Sequence, residues 1–255
     1  MIHPSSIIDP AASIHPTCTI GPYCVVGAEV EIGEGCELTS HVVVRGPTKI
    51  GKRNRIFPFS AIGLEPQDFT FKGQRVALEI GDDNLIRESV TINRGTEKGG
   101  GTTRIGSHCF IMAYAHIGHD CQVGDHVMMV NNATLAGHVI VEEYAVIGAL
   151  SAVHQFARVG THAYIGGGTI VTQDVLPFTK TVARREAATF GINSIGLERR
   201  GFSKDRITAL QRAYRTFRRM NNSQALEELR KDPHPTEDVK LLIEFMEKSE
   251  RGIIR

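Results

Sequence analysis

The sequence has no tryptophan, almost no net charge and no long apolar segment, and these absences narrow the classes of protein to consider. Among 255 residues, 29 are Lys or Arg and 28 are Asp or Glu, which gives a formal charge of +1. Because the charge is nearly balanced, no overall attraction to nucleic acid is expected. The chain contains no run of about 18 apolar residues, so neither a transmembrane helix nor stable membrane insertion is expected.

Export signals and a disulfide framework are also not expected. The opening segment MIHPSSIIDP has no basic stretch followed by an apolar block, as a signal peptide would. The chain has 5 Cys, an odd number, which argues against paired disulfides and favours the cytoplasm. With 41% hydrophobic and 22% charged residues, the composition is typical of a globular protein and excludes disordered and collagen-like chains.

A repeat of six residues runs through most of the chain. Its first position is Ile, Leu or Val throughout, with Met129 as the one exception. The repeat begins at Ile2, is interrupted after Ile62, resumes in the same register from Ile80 to Ile92, and continues after a one-residue shift from Ile105 to Val171. A helix repeats about every 3.6 residues and a strand every 2, so neither element alone explains this period.

A unit of six residues can hold one short strand and one turn, and three such units close a coil. We expect the aliphatic residue to point inward, the small fifth residue to fill the space beside it, and the frequent second-position glycine to permit unusual dihedrals at the turn. Coils stacked about 4.8 Å apart satisfy each other's backbone hydrogen bonds. The pattern resembles the hexapeptide-repeat family, which implies an all-β left-handed parallel β-helix. The usual crossover rule alone predicts the opposite hand.

The cysteines follow the same repeat. All of them occupy the small fifth position, which we interpret as core filling rather than as metal binding or redox chemistry. They are Cys18, Cys24, Cys36, Cys109 and Cys121.

Two interruptions of the repeat predict loop insertions near residues 64–78 and 97–103. Insertions in a solenoid lie on the surface and often bind ligands, and the first is the stronger candidate. The second contains three consecutive glycines, a motif too short to identify a phosphate-binding loop. We therefore predict a β-helix over residues 1–180, followed over residues 181–255 by a linker and a C-terminal α-helical domain.

Helical patterns replace the hexads in the C-terminal region. Ser203 is expected to cap a first helix, Ser223 to start a second, and Thr236 to cap a third. Residues 199–219 contain eight basic residues against one acid, a net charge of +7. A basic helix face is often merely solvated, but this local density in a balanced chain favours an acidic partner or a phosphate ligand.

The sequence has 11 His, and the repeat places His119, His138 and His154 along one edge of three successive coils. The carboxylate of Asp120, adjacent to His119, suits a general base, because it orients the ring and stabilises the imidazolium. Alternatively, three imidazoles can hold zinc, as in the gamma-class carbonic anhydrases, or the histidines are simply exposed at corners. The sequence contains no G-x-S-x-G motif, so a serine nucleophile is not expected.

Several longer segments resemble one enzyme family, the acyl-ACP:UDP-N-acetylglucosamine O-acyltransferases. The resemblance covers essentially the whole chain, including the helical tail. The segments that carry it are AHIGHDC at 115–121, NNATLAGHV at 131–139, AVHQF at 152–156, IRESVTI at 86–92, GLERRGF at 196–202 and RGIIR at 251–255.

The resemblance implies a cytoplasmic homotrimer with active sites between subunits. Such enzymes move a 3-hydroxyacyl chain from acyl carrier protein to the 3-hydroxyl of UDP-N-acetylglucosamine, the first step of lipid A biosynthesis. By resemblance, His119 is the general base, Asp120 supports it, and the backbone N–H of Gly137 stabilises the oxyanion. No metal or bound cofactor is implied, because the donor carries its own phosphopantetheine. The implied substrate-binding residues are Gln67, Asp68, His116, His138, His154, Gln155, Asn193, Arg199 and Arg200.

The sequence also departs from the family pattern. Thr70 stands where the family commonly has Lys, Asn93 where it has His, Ile195 where it has an acid, and residues 183–186 where it has a Gly-Asn segment. These differences leave substrate recognition open, including the alternative of a 3-amino acceptor. The related N-acyltransferases usually carry an N-terminal uridine-binding domain; hexads that begin at Ile2 make that family less expected.

Overall fold

The computed structural model describes residues 1–183 and 187–254. Its main body is a left-handed parallel β-helix whose three faces are sheets of short strands. Successive coils pair in parallel and in register, so that Ile7 lies opposite Val25 and Ile8 opposite Val26. The fold class predicted from the hexads is therefore confirmed.

Each sheet takes one strand from nearly every coil. The first sheet contains Ile7–Ile8, Val25–Val26, Val43–Val44, Ala61–Leu64, Thr91–Asn93, His116–Ile117, Thr134–Leu135, Ala152–Val153 and Ile170–Val171. The second contains Ser13–Ile14, Val30–Ile32, Thr48–Ile50, Ala77–Ile80, Thr102–Ile105, Gln122–Val123, Ile140–Val141 and Arg158–Val159. The third contains Thr19–Ile20, Glu37–Leu38, Arg55–Ile56, Leu85–Ile86, Phe110–Ile111, Met128–Met129, Val146–Ile147, Tyr164–Ile165, Thr179–Ala183 and Ala187–Ile192.

The first and fifth hexad positions fill the interior of the coil. One continuous apolar core extends from Cys18 to Val175 and also includes Ile254. All five cysteines are buried and free, as the repeat predicts. Burial raises the pKa of the Cys109 thiol to about 11 and that of Cys121 to about 12, so both are un-ionised packing groups at neutral pH.

The glycines of the repeat have a different role from the one expected. Left-handed dihedrals occur at the fourth hexad position, on residues such as Tyr144 (φ 59) and Phe156 (φ 65). The second-position glycines are needed because the next coil is close: a Cβ on Gly21 would lie 1.5 Å from the carbonyl oxygen of Thr39. The prediction that these glycines supply unusual dihedrals holds at Gly63, with φ 72, but the other second-position glycines supply room between coils.

The two insertions leave and rejoin the sheets with one local irregularity, a register shift between Ile62 and Leu64 where the first insertion begins. The first follows Ala61–Leu64 and ends at Ala77–Ile80, where Leu78 pairs with Thr48. The second contains a 3-10 turn over Glu97–Gly99 and rejoins at Thr102–Ile105. Both therefore present extra chain on the surface of an otherwise regular coil.

The region after the coil contains a hairpin that the sequence analysis treats as a linker. Strands Thr179–Ala183 and Ala187–Ile192 pair antiparallel and extend the third sheet, so the predicted boundary at residue 180 falls inside a strand. Residues 184–186 of the predicted linker lie outside the described residues. Ile253 and Ile254 return to the coil, where Ile254 N–H donates to the Asp174 carbonyl at 2.9 Å.

Four helices follow the hairpin: α1 Ser194–Arg199, α2 Lys204–Arg219, α3 Asn222–Leu229 and α4 Glu237–Glu247. Ser203 and Thr236 cap α2 and α4 as predicted, whereas Asn221 rather than Ser223 caps α3. Helix α1 has no counterpart in the sequence analysis. The helices share a second apolar core with Leu176 and Phe178 of the last coil. No helix in the described part of the chain has the length and apolarity to cross a membrane.

Candidate functional site

His119, Asp120 and His138 form a cluster at the corner that follows the first sheet, with the carboxylate buried and the two rings partly exposed. His119 and Asp120 follow strand His116–Ile117, and His138 lies one coil further, where its N–H donates to the carbonyl of His119 at 2.9 Å. His119 Nδ1 lies 2.7 Å from Asp120 Oδ2. Because an ionised carboxylate only accepts, Nδ1 carries the hydrogen and Nε2 is left as a free base. The two imidazole rings meet edge to face with centroids 5.1 Å apart.

Asp120 is held by the second insertion. Its side chain is 0% exposed. Thr96 donates its backbone N–H to Oδ1 at 2.7 Å and its hydroxyl to Oδ2 at 2.6 Å, and the N–H of Asp120 donates to Thr103 Oγ1 at 2.8 Å. Burial by itself raises the pKa of Asp120, but the hydrogen bonds from His119 and Thr96 outweigh it and hold that pKa below its usual value. The carboxylate is therefore ionised and fixed beside His119.

Glycines of the same insertion make room for this carboxylate. A Cβ on Gly99 would lie 2.0 Å from Asp120 Cγ, and one on Gly95 would lie 2.8 Å from its Oδ1. The glycine-rich loop thus folds directly over Asp120. The glycine motif alone did not indicate this role, and Thr96 was not among the predicted site residues; the available signal was a polar residue beside an insertion near the histidine corner.

Gly137 lies against the imidazole of His119. A Cβ at this position would lie 2.5 Å from His119 Cε1, which is closer than real Cβ contacts allow. Within the described part of the chain, the backbone N–H of Gly137 has no hydrogen-bond acceptor. A free main-chain donor thus stands beside the base, which is the arrangement that an oxyanion requires.

His116 and His138 flank the base as neutral rings. His116 Nδ1 lies 2.7 Å from Thr91 Oγ1, and burial and the nearby charge of His119 lower its pKa. Burial also lowers the pKa of His138, although its Nε2 lies only 3.7 Å from Asp120 Oδ2. Both rings are therefore hydrogen-bonding groups, not cations, at neutral pH.

His154 and Gln155 lie one coil beyond, but not in contact with the cluster. Phe156, not His154, stacks on His138, with ring centroids 4.5 Å apart. The Nδ1 of His154 lies 3.2 Å from Arg251 Nη2, and both His154 and Gln155 are exposed. The predicted column of three histidines is thus a pair of histidines capped by a phenylalanine.

The two predicted substrate-binding residues of the first insertion lie in different places. Asp68 lies near the cluster: hydrogen bonds from the N–H and hydroxyl of Thr70 lower its pKa, and the charge of His119 contributes in the same direction. Gln67 instead lines a pocket of about 550 Å³ together with Asn93 and Arg94. Asn93 donates to the carbonyl of Glu65 at 2.7 Å, so it anchors this insertion.

Asn193, Arg199 and Arg200 lie at a different corner, after the second sheet. The Nδ2 of Asn193 donates to the carbonyl of His162 at 3.1 Å, and Arg200 Nη1 lies 3.3 Å from His162 Nδ1. Arg199 is exposed at the end of α1. A single chain therefore does not bring these three residues to His119.

The cluster also has the composition of a possible metal site. The ligand atoms of His119, Asp120 and His138 all lie within 4.8 Å of one another. However, Asp120 Oδ2 already accepts hydrogen bonds from Thr96 and His119, and His154, the third predicted imidazole, lies outside the group. The donor set fits a hydrogen-bonded dyad better than a three-histidine zinc centre.

Comparisons with known proteins agree with this fold along the whole chain. The family described as Udp N-acetylglucosamine O-acyltransferase, domain 2, matches residues 174–254, and the bacterial transferase hexapeptide family matches 11–46 and 102–137. The structure of LpxA from Acinetobacter baumannii is 42% identical, with a TM-score of 0.96, over 100% of this chain and 99% of that one.

Two further solved structures show the same relationship. The Francisella novicida UDP-N-acetylglucosamine acyltransferase is 38% identical with a TM-score of 0.97, over 100% of this chain and 94% of that one. The Arabidopsis enzyme of that name is 32% identical with a TM-score of 0.86, over 100% of both chains. This chain is therefore an acyltransferase that belongs to the UDP-N-acetylglucosamine O-acyltransferase family.

Proposed function

We propose that this enzyme transfers a 3-hydroxyacyl chain from acyl carrier protein to the 3-hydroxyl of UDP-N-acetylglucosamine, as the first step of lipid A biosynthesis, with His119 as the general base. The observation that carries the catalytic assignment is the 2.7 Å contact between His119 Nδ1 and a fully buried Asp120. This contact fixes the tautomer in which Nε2 is free to accept a proton.

The chemistry follows from the positions of three groups. His119 Nε2 takes the proton of the sugar hydroxyl as its oxygen attacks the carbonyl carbon of the acyl thioester. The tetrahedral oxyanion accepts a hydrogen bond from the free N–H of Gly137, and Asp120 stabilises the imidazolium. The C–S bond then breaks, and His119 returns the proton to the pantetheine thiolate. The products are the ester and a free thiol, with no metal or bound cofactor in the scheme.

The basic surface of α2 supports the assignment of the donor. The side chains of Arg212, Arg215, Arg218 and Arg219 are exposed, and none has a carboxylate within 4.0 Å among the described residues. Arg206, in contrast, is paired with Asp238. Unpaired guanidinium groups on one helix attract an acidic protein, which suits acyl carrier protein.

The acceptor site is completed in this proposal by a second subunit. His119 and Asp68 lie at one corner of the coil, whereas Asn193, Arg199 and Arg200 lie at another. A homotrimer, in which the corners of neighbouring chains face each other, brings the base and the nucleotide-binding cations together. In this arrangement Gln67, His116, His138, His154 and Gln155 orient the two substrates along the shared groove.

The first experiment is an assay of the purified enzyme with UDP-N-acetylglucosamine and a series of 3-hydroxyacyl carrier proteins, with a chelator present. We expect an ester product whose formation falls by at least roughly a thousandfold in His119→Ala, the usual cost of losing a catalytic base. His3→Ala is the matched control, because the His3 ring is hydrogen-bonded to Ser5 at 2.8 Å and lies outside the cluster.

Other outcomes would change specific parts of the proposal. Turnover only with the 3-amino analogue would keep His119 as base and change the acceptor to form an amide. Activity that disappears with the chelator would favour a metal at His119, Asp120 and His138. For the trimer, mixing His119→Ala subunits with Arg200→Ala subunits should give more activity than the two variants give separately, when UDP-N-acetylglucosamine is kept below the raised KM of Arg200→Ala. Failure of every mixture to recover activity would count against a shared site.

A further inference from the structure

His162 contacts both ends of helix α1. Its backbone carbonyl accepts from Nδ2 of Asn193, the residue before the helix, at 3.1 Å. Its ring Nδ1 lies 3.3 Å from Nη1 of Arg200, the residue after the helix. One residue of the β-helix thus holds the two side chains that bracket Ser194–Arg199.

The ring of His162 is rigidly held. It is 8% exposed and stacks between Tyr144, with centroids 4.7 Å apart and planes at 3°, and Phe178, with centroids 5.6 Å apart. Phe202 meets its edge at 4.9 Å. Side chains enclosed on three sides in this way have one rotamer available, so the direction of Nδ1 is fixed by the coil.

The protonation state of His162 makes it an acceptor. Burial, followed by the charge of Arg200, lowers its pKa to about 4, so the ring is neutral at physiological pH. Because a guanidinium can only donate, Nδ1 is the unprotonated nitrogen and accepts from Arg200. The Arg200 guanidinium carbon also lies 5.2 Å from the centroid of the Tyr144 ring, one coil earlier. Contacts from two successive coils therefore orient the half-buried guanidinium of Arg200.

We propose that His162 is a positioning residue that fixes Arg200 and Asn193 for the nucleotide end of the acceptor. The inference rests on the proposed function, in which these two side chains bind the sugar nucleotide. A flexible guanidinium loses side-chain entropy on binding a diphosphate, and a preoriented one has already lost it. His162 thus acts through binding of the acceptor and leaves the chemical step unchanged.

Two substitutions separate the acceptor atom of His162 from its stacking ring. His162→Phe keeps an aromatic ring and removes the acceptor; Phe156 and Phe178 already occupy such left-handed corners, with φ 65 and φ 63. His162→Asn removes the ring but places an acceptor oxygen at the δ1 position, and Asn132 occupies a corner with φ 60. Unfolding midpoints of both variants identify any loss of structure.

Steady-state kinetics of these variants test the proposal. We expect His162→Phe to raise KM for UDP-N-acetylglucosamine roughly tenfold, the effect of losing one charged hydrogen bond, with kcat and KM for the acyl donor unchanged. His162→Asn should keep KM near that of the unmodified enzyme. In Arg200→Ala, KM should rise further, and adding His162→Phe to it should have no additional effect.

The outcomes distinguish this inference from the function on which it rests. If Arg200→Ala raises KM and His162→Phe does not, the positioning role is wrong and the acceptor site stands. Equal damage by His162→Asn and His162→Phe would assign the effect to stacking and would also overturn the proposal. If Arg200→Ala itself leaves KM unchanged, Arg200 does not bind the nucleotide, and both assignments fail.

Discussion

Removing the hydroxyl of Thr96 tests whether the second insertion controls the base. Thr96→Val keeps the shape and the backbone N–H but deletes the 2.6 Å donor to Asp120 Oδ2. Oδ2 then keeps the hydrogen bond from His119 at 2.7 Å, and Gly99 N–H loses Thr96 Oγ1 at 3.2 Å but keeps the Thr96 carbonyl at 3.1 Å. A hydrogen bond to a buried charge contributes about 1.5–3 kcal/mol, so we expect kcat/KM to fall roughly tenfold or more.

The same substitution should also shift the pH profile of kcat/KM, in a direction that the hydrogen bonds of Asp120 predict. The hydrogen bonds hold the pKa of Asp120 below its usual value, so the stability they provide is present above the unfolded pKa of about 3.9 and is lost as pH falls through the folded pKa. In Thr96→Val the folded pKa rises, and the carboxylate accepts more strongly from the imidazolium of His119. The acidic limb of kcat/KM should therefore move to higher pH.

The assay is kcat/KM measured from about pH 5 to 9 for the unmodified enzyme, Thr96→Val and Thr96→Ser. Thr96→Ser retains the hydroxyl and should recover most of the rate and the original acidic limb. An unchanged rate and an unchanged limb in Thr96→Val would refute the argument that this hydrogen bond orients the dyad. A loss of rate in Thr96→Ser equal to that in Thr96→Val would show that packing, rather than the hydroxyl, is responsible.

Three further predictions follow from the structure. Gly137→Ala places a Cβ 2.5 Å from His119 Cε1. We therefore expect kcat to fall at least roughly a hundredfold while the unfolding midpoint stays within a few degrees. A normal kcat would contradict the proposed geometry. A thiol reagent at pH 8 should modify none of the five buried cysteines in the native enzyme and all five after denaturation; rapid native labelling would show that the coil opens. Arg206→Ala leaves the buried Asp238 carboxylate without its 2.7 Å partner. In urea unfolding, this variant should destabilise the helical region by about 1–2 kcal/mol. Lys240→Ala breaks an exposed ion pair and serves as a control with little expected effect.

The Arg206–Asp238 pair also shows why charge counts alone do not identify a docking surface. Arg206 belongs to the basic segment recognised in the sequence, but its guanidinium is engaged by Asp238 and lies 3.8 Å from the centroid of the Phe202 ring. Arg200 is likewise engaged by His162. Among the described residues, the exposed guanidinium groups of Arg199 and of the rest of α2 have no carboxylate partner and are free to meet an acidic protein. That division depends on contacts between residues far apart in the chain.

The hexad pattern determined the three-faced parallel coil, because a six-residue period has few structural solutions and each coil repeats the same packing. The left hand of the coil came from the resemblance to the hexapeptide-repeat family. Burial of Cys18, Cys109 and Cys121 followed from the same periodicity. The helix caps at Ser203 and Thr236 could also be predicted from the sequence, since a cap depends on residues within one turn. The boundary at residue 180 was misplaced because an antiparallel hairpin there continues the third sheet, a pairing that the hexad spacing does not encode.

For the site, the sequence by itself determined that Asp120 is next to His119 in the chain and that His138 lies near His119 one coil away, the second of which follows from the repeat. It did not determine that Thr96 clamps Asp120, or that Phe156 rather than His154 covers His138. Those contacts depend on where an irregular insertion folds and on which way corner side chains point. Such choices are made by packing against neighbouring coils rather than by local spacing, and only the tertiary structure decided them.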